Sequence, residues 1–333
     1  MGKLGYIAKR ILGINVRNML DKINEVHIRS GKSRVYIFFD MTGCAVRYQA
    51  GYTDYALFEM YNLNSAQRKT VVTRGINNSF IKRFNDPAYT EEINDKLKFA
   101  YNFSEYLRRD WLDLTKASDE ELTGFIHKHP VFMAKPVRGM CGKGIEKIRS
   151  ADFEAEKLRE YLTDRELMLL EECVIQHPVM NKLHPHCVNT CRVVTLHRSG
   201  VTKVVVAYLR IGNGRFVDNF NSGGMVVPIN EQTGEINYPA LDKAGNLYEK
   251  HPLTGVSIKG FRIPMWEEVL SLVIKAGSVV PQVGLVGWDV AISENCPLLI
   301  EGNNFPGHDI YGLPPHRTDG VGVLPKFIEA IEE

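Results

Sequence analysis

The chain has 333 residues, enough for two or three lobes with sizeable cores rather than one minimal domain. Its composition, 44% hydrophobic and 24% charged, is that of an ordinary globular protein, and 41 basic against 39 acidic residues leave a net charge of +2. That balance argues against a nucleic-acid partner or a membrane surface held by bulk charge, and leaves room for a local basic pocket that takes a phosphorylated ligand.

The start, MGKLGYIAKRILGINVRNML, is basic but has no unbroken apolar core and no small-residue cleavage site, so no secretory signal is expected. A packed helix is the expectation there, with an amphipathic helix on a membrane surface as the alternative. No stretch approaches the roughly 18 apolar residues of a transmembrane segment. The six cysteines form no CxxC pair, and reduced thiols in a cytoplasmic protein are the default expectation.

Residues 1–130 read as mostly helical. Ile7, Ile11, Ile14, Val16, Leu20 and Ile23 keep a helical spacing. Tyr36–Phe39 reads as a short strand. A helix is expected from about Glu91 to Leu112 with Ile93, Leu97, Ala100, Tyr101, Phe103 and Leu107 on its apolar side. Another starts at Ser118, where Ser118 and Glu121 make a capping-box pattern ahead of Leu122, Phe125 and Ile126. From Pro130 the texture changes to short valine- and isoleucine-rich runs: Val131–Ala134, Leu167–Leu170, Val193–Leu196, Val204–Leu209, Met225–Ile229, Trp288–Ile292 and Leu298–Ile300. The turn material between several of them is too short for crossovers, so much of the sheet must be antiparallel. A late helix, about Pro264 to Ser278, places a proline at its first position. The division expected is 1–90 helical, 91–172 a first α+β lobe and 173–333 a second.

Three segments carry chemistry. In the first, a strand ends on Lys135 and runs into a glycine loop containing Gly139, Gly142, Lys143 and Gly144. Glycines let the backbone approach phosphate, and a lysine at the strand end adds fixed positive charge. No Lys-Ser or Lys-Thr closes the loop, so it is not a P-loop, and a solvated glycine hairpin remains the plain alternative. In the second, the strands around Asp289 and Glu301 are joined by the turn Ser293–Cys296, which sets the two carboxylates on facing positions. Side by side among apolar neighbours they repel unless a cation sits between them. With the amide oxygen of Asn303 they form an oxygen-only set suited to Mg²⁺ rather than zinc, the plain alternative being a surface hairpin with solvated carboxylates. In the third, an apolar strand runs directly into Glu171, Glu172, Cys173 and Val174. The zinc-like cluster His184, His186, Cys187 and Cys191 lacks a second CxxC partner and is set aside.

The order Lys-Pro with its glycine loop, Leu-Leu-Glu-Glu, Trp-Asp and Glu-Gly-Asn resembles the ATP-grasp superfamily over about residues 90–315. Asp54-Tyr55, Asp95-Lys96, Asn189-Thr190-Cys-Arg192, Asp218-Asn219 and Gly223-Gly224 resemble in particular the sugar-transfer-associated ATP-grasp family, found near polysaccharide and capsule genes. The resemblance implies an α+β, ATP-grasp fold: two α+β lobes sandwiching ATP, here with a mostly helical N-terminal region. Carried over by motif, Lys135 and Lys96 would face phosphate, the glycine loop would cover it, and Glu171 to Val174 would meet adenine. Asp289, Glu301 and Asn303 would hold Mg²⁺, and Asn219, Gly307 and His308 would lie toward the acceptor, with a solvated loop histidine the equal alternative for His308. D-alanine:D-alanine ligases place an arginine two residues before the metal aspartate, where this chain has Gly287, so Arg192 or Arg210 is expected to supply that charge.

The activity implied is ATP- and Mg²⁺-dependent joining of a carboxylate to an amine through an acyl phosphate. The substrate class that follows from the resemblance is a sugar uronic acid amidated by an amino acid in capsule or O-antigen synthesis. An amino-acid or peptide ligase is the alternative, and a non-catalytic nucleotide-binding regulator is the alternative of another class. The partners expected are small molecules, a carboxylate and an amine, with no nucleic acid and no transmembrane segment.

Overall fold

A computed structural model describes residues 15–139, 143–214 and 218–332. The expected helical positions Ile7, Ile11 and Ile14, and Gly142 of the glycine loop, lie outside the described residues. The chain forms two compact units, one from residues 1–83 with 307–333 and one from 84–306.

The first unit is helical among its described residues. Helix α1, Val16–Ser30, is capped by the Asn15 side chain, which accepts from Asn18 N, and ends on Gly31 at φ 71°. Helix α2, Arg34–Tyr48, follows at once, with Ser33 accepting from Tyr36 N. Residues Tyr36–Phe39, expected as a strand, lie inside this helix. Ile37, Met41 and Cys44 are buried four and three residues apart, and that helical period with a good cap overrides the β-preference of four aromatic and branched residues. Asp40 accepts both Nη atoms of Arg68 at 2.7 Å and the Tyr55 hydroxyl at 2.8 Å. The C-terminal helix Leu324–Glu332 packs back here, Phe327 stacking on Phe80 with ring centroids 5.4 Å apart.

The second unit holds two antiparallel sheets. The four-stranded one is built from β1 Trp111–Asp113, β2 Val131–Lys135, β3 Glu146–Arg149 and β4 Leu169–Glu172, in the order β1–β4–β2–β3. Helices Asp119–Lys128 and Ala155–Asp164 pair with it, burying Leu122, Phe125, Leu158 and Leu162 against Phe132, Ala134 and Leu170. The predicted capping box is present, Ser118 Oγ accepting from Glu121 N and Glu121 Oε2 accepting from Ser118 N.

The seven-stranded sheet has the order β11–β10–β5–β6–β7–β8–β9. Its strands are β5 Cys191–Arg198, β6 Val201–Ile211, β7 Met225–Ile229, β8 Ala240–Asp242, β9 Leu247–Tyr248, β10 Leu285–Ile292 and β11 Pro297–Asn303. Ser199 and Gly200, both at positive φ, close the β5–β6 hairpin in two residues, which is why these strands run antiparallel. All seven valine- and isoleucine-rich runs of the sequence therefore overlap strands. β10 is buried along its whole length, and Trp288 packs edge-on to Phe103 in the core.

Two helix boundaries differ from expectation. The single helix expected over Glu91–Leu112 is three short pieces, Glu91–Asn94, Lys96–Asn102 and Ser104–Leu107, followed by β1. Asp95 breaks it by capping a new helix, accepting from Leu97 N and Lys98 N at 3.0 Å, and Arg108 at φ 47° ends the last piece. Trp111, Leu112 and Asp113 then pair with β4. The late helix starts at Trp266 with Met265 as its N-cap, so Pro264 stands before the helix rather than at its first position.

Candidate functional site

The β10–β11 hairpin sets Asp289 opposite Glu301, and the ladder is irregular immediately after Asp289. On the other side β10 pairs with β5, which puts Arg192 beside Asp289. Arg192 Nε donates to Asp289 Oδ1 at 2.5 Å and Nη2 to Oδ2 at 3.0 Å, while Arg210 Nη2 of β6 donates to Oδ2 at 2.6 Å. Asp289 is only 2% exposed. Burial works against its charge, but the two guanidinium groups outweigh it and hold the carboxyl well below the usual range.

Arg210 is itself held in place. Its Nε and Nη2 reach Thr190 Oγ1 at 3.0 and 2.8 Å, and the Thr190 hydroxyl and backbone N–H both donate to Asp218 Oδ2. Asp218 is buried, which raises its pKa despite nearby Arg210. Gly224 is required by this turn, because a Cβ there would meet Asp218 O at 2.2 Å.

Glu301 is different. It makes no hydrogen bond or ion pair with the described residues, and burial followed by the charge of Asp289 pushes its pKa up. One carboxylate of the facing pair is thus bonded directly by two arginines, while the other has Lys135, Arg192 and Arg210 nearby but no direct partner among the described residues. A divalent cation fits this donor set. All of the Glu301 lone pairs are open, Asn303 Oδ1 carries only the 2.9 Å bond from Phe305 N, and Asp289 with three donors keeps one acceptor position of about four.

A second buried cluster lies at the end of β2. Lys135 Nζ forms an ion pair with Glu171 Oε2, and Arg109 Nη2 pairs with Glu171 Oε1 at 2.6 Å. Arg109 Nη1 also donates to the Leu299 carbonyl of β11 at 2.5 Å, tying the segment ahead of β1 to the β10–β11 hairpin. Burial opposes the Glu171 charge, yet Arg109 and then Lys135 bring the carboxyl down to about 2.

Lys96, first in its helix, donates from Nζ to the Gly139 carbonyl at 2.8 Å, and its backbone N–H bonds Val137 O at 3.0 Å. Its pKa is lowered, mainly by burial, with Glu301 opposing and Lys135 adding to the fall. Lys96, Lys135, Glu171, Glu301, Asp289, Arg192 and Arg210 therefore form one electrostatically linked set.

Residues 75–318 match the model of one protein family, described as sugar-transfer associated ATP-grasp. The chain belongs to that family. It has the α+β, ATP-grasp fold. Among curated proteins none matches in sequence. The similar solved structures include the ATP-grasp ligase PsnB with a minimal precursor, at 14% identity and TM-score 0.43, covering 75% of this chain and 63% of that one. D-alanyl-alanine synthetase A of Vibrio cholerae O1 shows 11% identity and TM-score 0.42 over the same shares, 75% and 63%. The L-amino acid ligase of Bacillus licheniformis shows 13% identity and TM-score 0.37 over 64% and 41%. The chain thus spans under two thirds of the length of each of these proteins.

In this ATP-grasp protein the glycine two residues before Asp289 has a physical explanation. A Cβ on Gly287 would meet Pro306 Cβ at 2.9 Å and Arg192 Cδ at 3.2 Å, so the Arg192 side chain, arriving from β5, fills the space above Gly287. Both oxygens of Glu171 are committed to Lys135 and Arg109, so of the segment expected to meet adenine only Glu172, Cys173 and Val174 keep side chains outside this cluster. Those three are partly exposed, and Glu172 Oε2 accepts from Asp110 N at 3.1 Å. Lys143 and Gly144 are exposed, Gly144 at φ 75°, and Gly139 has φ 143°.

Of the residues expected toward the acceptor, Asn219 caps the turn Phe220–Ser222, accepting from Asn221 N at 2.8 Å. Gly307 and His308 fall in the first unit, where buried His308 Nε2 meets Asp54 Oδ1 at 2.8 Å and Asp54 Oδ2 accepts from Gly51 N and Arg74 N. The zinc-like group is packed otherwise: His184 stacks on His251 at 5.4 Å, and burial raises the Cys187 thiol to about 12 and Cys191 further. Asp110, His129 and Glu172 offer three ligand atoms within 4.8 Å of one another, but Lys128 already pairs with Asp110 at 2.5 Å.

Arg109 was not visible as a site residue. Its only signal is a second consecutive arginine directly ahead of a strand, a pattern that ordinary surface loops share.

Proposed function

We propose that this protein is an ATP- and Mg²⁺-dependent carboxylate–amine ligase, acting through an acyl phosphate and amidating a sugar uronic acid with an amino acid in polysaccharide precursor synthesis. One observation carries the reading: four buried or half-buried cations, Lys96, Lys135, Arg192 and Arg210, surround the facing carboxylates Asp289 and Glu301, and Glu301 makes no direct hydrogen bond or ion pair with any of them. A structural ion-pair network would pair Glu301 directly with one of those cations. This one is built to receive a polyanion together with a divalent cation.

Lys96 and Lys135 hold the phosphates, and Glu171 with Arg109 fixes where the Lys135 ammonium sits. Arg192 and Arg210 neutralise charge as the substrate carboxylate attacks the γ-phosphorus and the bond to the β-phosphate oxygen breaks, releasing ADP. Mg²⁺, when bound at Asp289, Glu301 and Asn303, supplies charge screening between the phosphates and the attacking carboxylate. The amine then adds to the acyl carbon, inorganic phosphate leaves, and the amine proton passes to solvent. The uronic-acid substrate class rests on family membership, and the cytoplasmic location is part of the same reading.

The test is ADP release across uronic-acid sugars crossed with amino acids, with hydroxylamine as a trap for the acyl phosphate. A hydroxamate with stoichiometric ADP is expected, and Glu301→Gln, which removes one charge at nearly constant shape, should abolish it chiefly through turnover. AMP and pyrophosphate would refute the mechanism. Full activity of Glu301→Gln would refute the site. Turnover with amino acids alone would move the substrate class to a peptide or amino-acid ligase, and nucleotide binding without any turnover would favour a regulatory role.

A further inference from the structure

Helix α2 is apolar on two opposite sides. Ile37, Met41 and Cys44 face the core. On the far side stand Val35, Phe39, Thr42 and Val46, spaced four, three and four residues apart, with Val35 67%, Phe39 68% and Val46 61% exposed. Tyr36 and Phe38 flank them, also exposed, and the Phe38 and Phe39 rings meet edge to face at 5.4 Å. A surface helix normally turns charge outward. Here the only exposed charges of the helix are Arg34 and Arg47 at its two ends, since Asp40 is turned to Arg68 and Tyr55. A contiguous apolar patch of this kind marks an interaction surface.

We propose that this face of α2 docks on an anionic lipid bilayer, the helix lying in the interfacial plane. Charge selects the occupant. A second copy laid on the same face, in either direction, would set arginine against arginine with no carboxylate between them, whereas anionic headgroups meet both ends favourably. Helix α1 and its turn add Arg17 and Lys32 on the exposed or half-exposed surface, while Lys22 and Arg29 pair with Glu25 and Arg29 also lies 3.8 Å from Glu59, leaving Asp21 as the one exposed acid of α1 without such a pair. The fourteen residues that lead into α1 have the same chemistry in sequence: Lys3, Lys9 and Arg10 among Leu4, Tyr6, Ile7, Ile11, Leu12 and Ile14, with no acid. Aromatic and branched apolar residues bordered by basic ones are the composition of membrane-surface helices. Among the described residues no helix is long and apolar enough to cross a membrane, so the contact is a peripheral one.

The experiment is co-sedimentation of the full chain with sucrose-loaded vesicles of phosphatidylcholine, with and without phosphatidylglycerol. Binding is expected only with phosphatidylglycerol. It should fall at least about tenfold in Phe39→Ser/Val46→Ser and, at about fivefold per basic residue, about twenty-five-fold in Arg34→Gln/Arg47→Gln. All four side chains point outward, so circular dichroism should be unchanged. The proposal is overturned if the chain binds neither vesicle, binds both equally, or keeps its binding in both double variants. It is also overturned if light scattering shows a dimer that Phe39→Ser/Val46→Ser dissociates, or if binding depends on residues 1–14 and not on these four positions.

Discussion

Glu171→Gln tests the buried cluster directly. The substitution keeps size and shape but leaves Lys135 and Arg109 as two cations in a site where Glu171 is 4% exposed. The fall of the Glu171 carboxyl from 4.5 to about 2 corresponds, at about 1.4 kcal/mol per pH unit, to about 3 kcal/mol of folding free energy. Removing one partner of a buried ion pair costs about 3–5 kcal/mol by an independent route, so the two agree. Because the folded pKa is the lower one, this contribution is complete above about pH 4.5 and is lost as pH falls toward about 2. All three tryptophans, Trp111, Trp266 and Trp288, lie in the second unit, so their emission during urea unfolding reports on the unit that contains Glu171. At pH 7 the variant should lose about 3 kcal/mol of unfolding free energy, and the gap to the unmodified protein should narrow below pH 4.5. A loss under about 1 kcal/mol, or a gap that does not change with pH, would refute the assignment of Glu171 as a charged anchor for Lys135.

Two further outcomes follow from the site. Mg-ATP at a hundred times its dissociation constant should stabilise the protein by about 2.7 kcal/mol, read as a thermal shift, and ATP with a chelator should do less; equal shifts would remove the metal from Asp289, Glu301 and Asn303. Gly287→Ala should displace Arg192 or Pro306, costing about 1–3 kcal/mol by overpacking and slowing turnover, and a variant of unchanged stability and rate would show that Arg192 does not occupy that space.

The sequence by itself determined the local features of this protein. Ser118 and Glu121 specify a helix start through contacts three residues apart, and the valine- and isoleucine-rich runs specify strands because each carries its preference in its own residues. The hairpin facing of Asp289 and Glu301 was legible too, since a short turn fixes the register of the strands it joins. Tyr36–Phe39 shows where local reading fails: the same four residues suit a strand, and only the burial of Ile37, Met41 and Cys44 against the rest of the unit makes them helix. The charge pairing was decided by tertiary structure alone. Arg192 and Arg210 reach Asp289 across 97 and 79 residues of chain, and Arg109 reaches Glu171 across 62. Which cation neutralises which buried carboxylate depends on strand order and register, and neither is encoded in the residues flanking either partner.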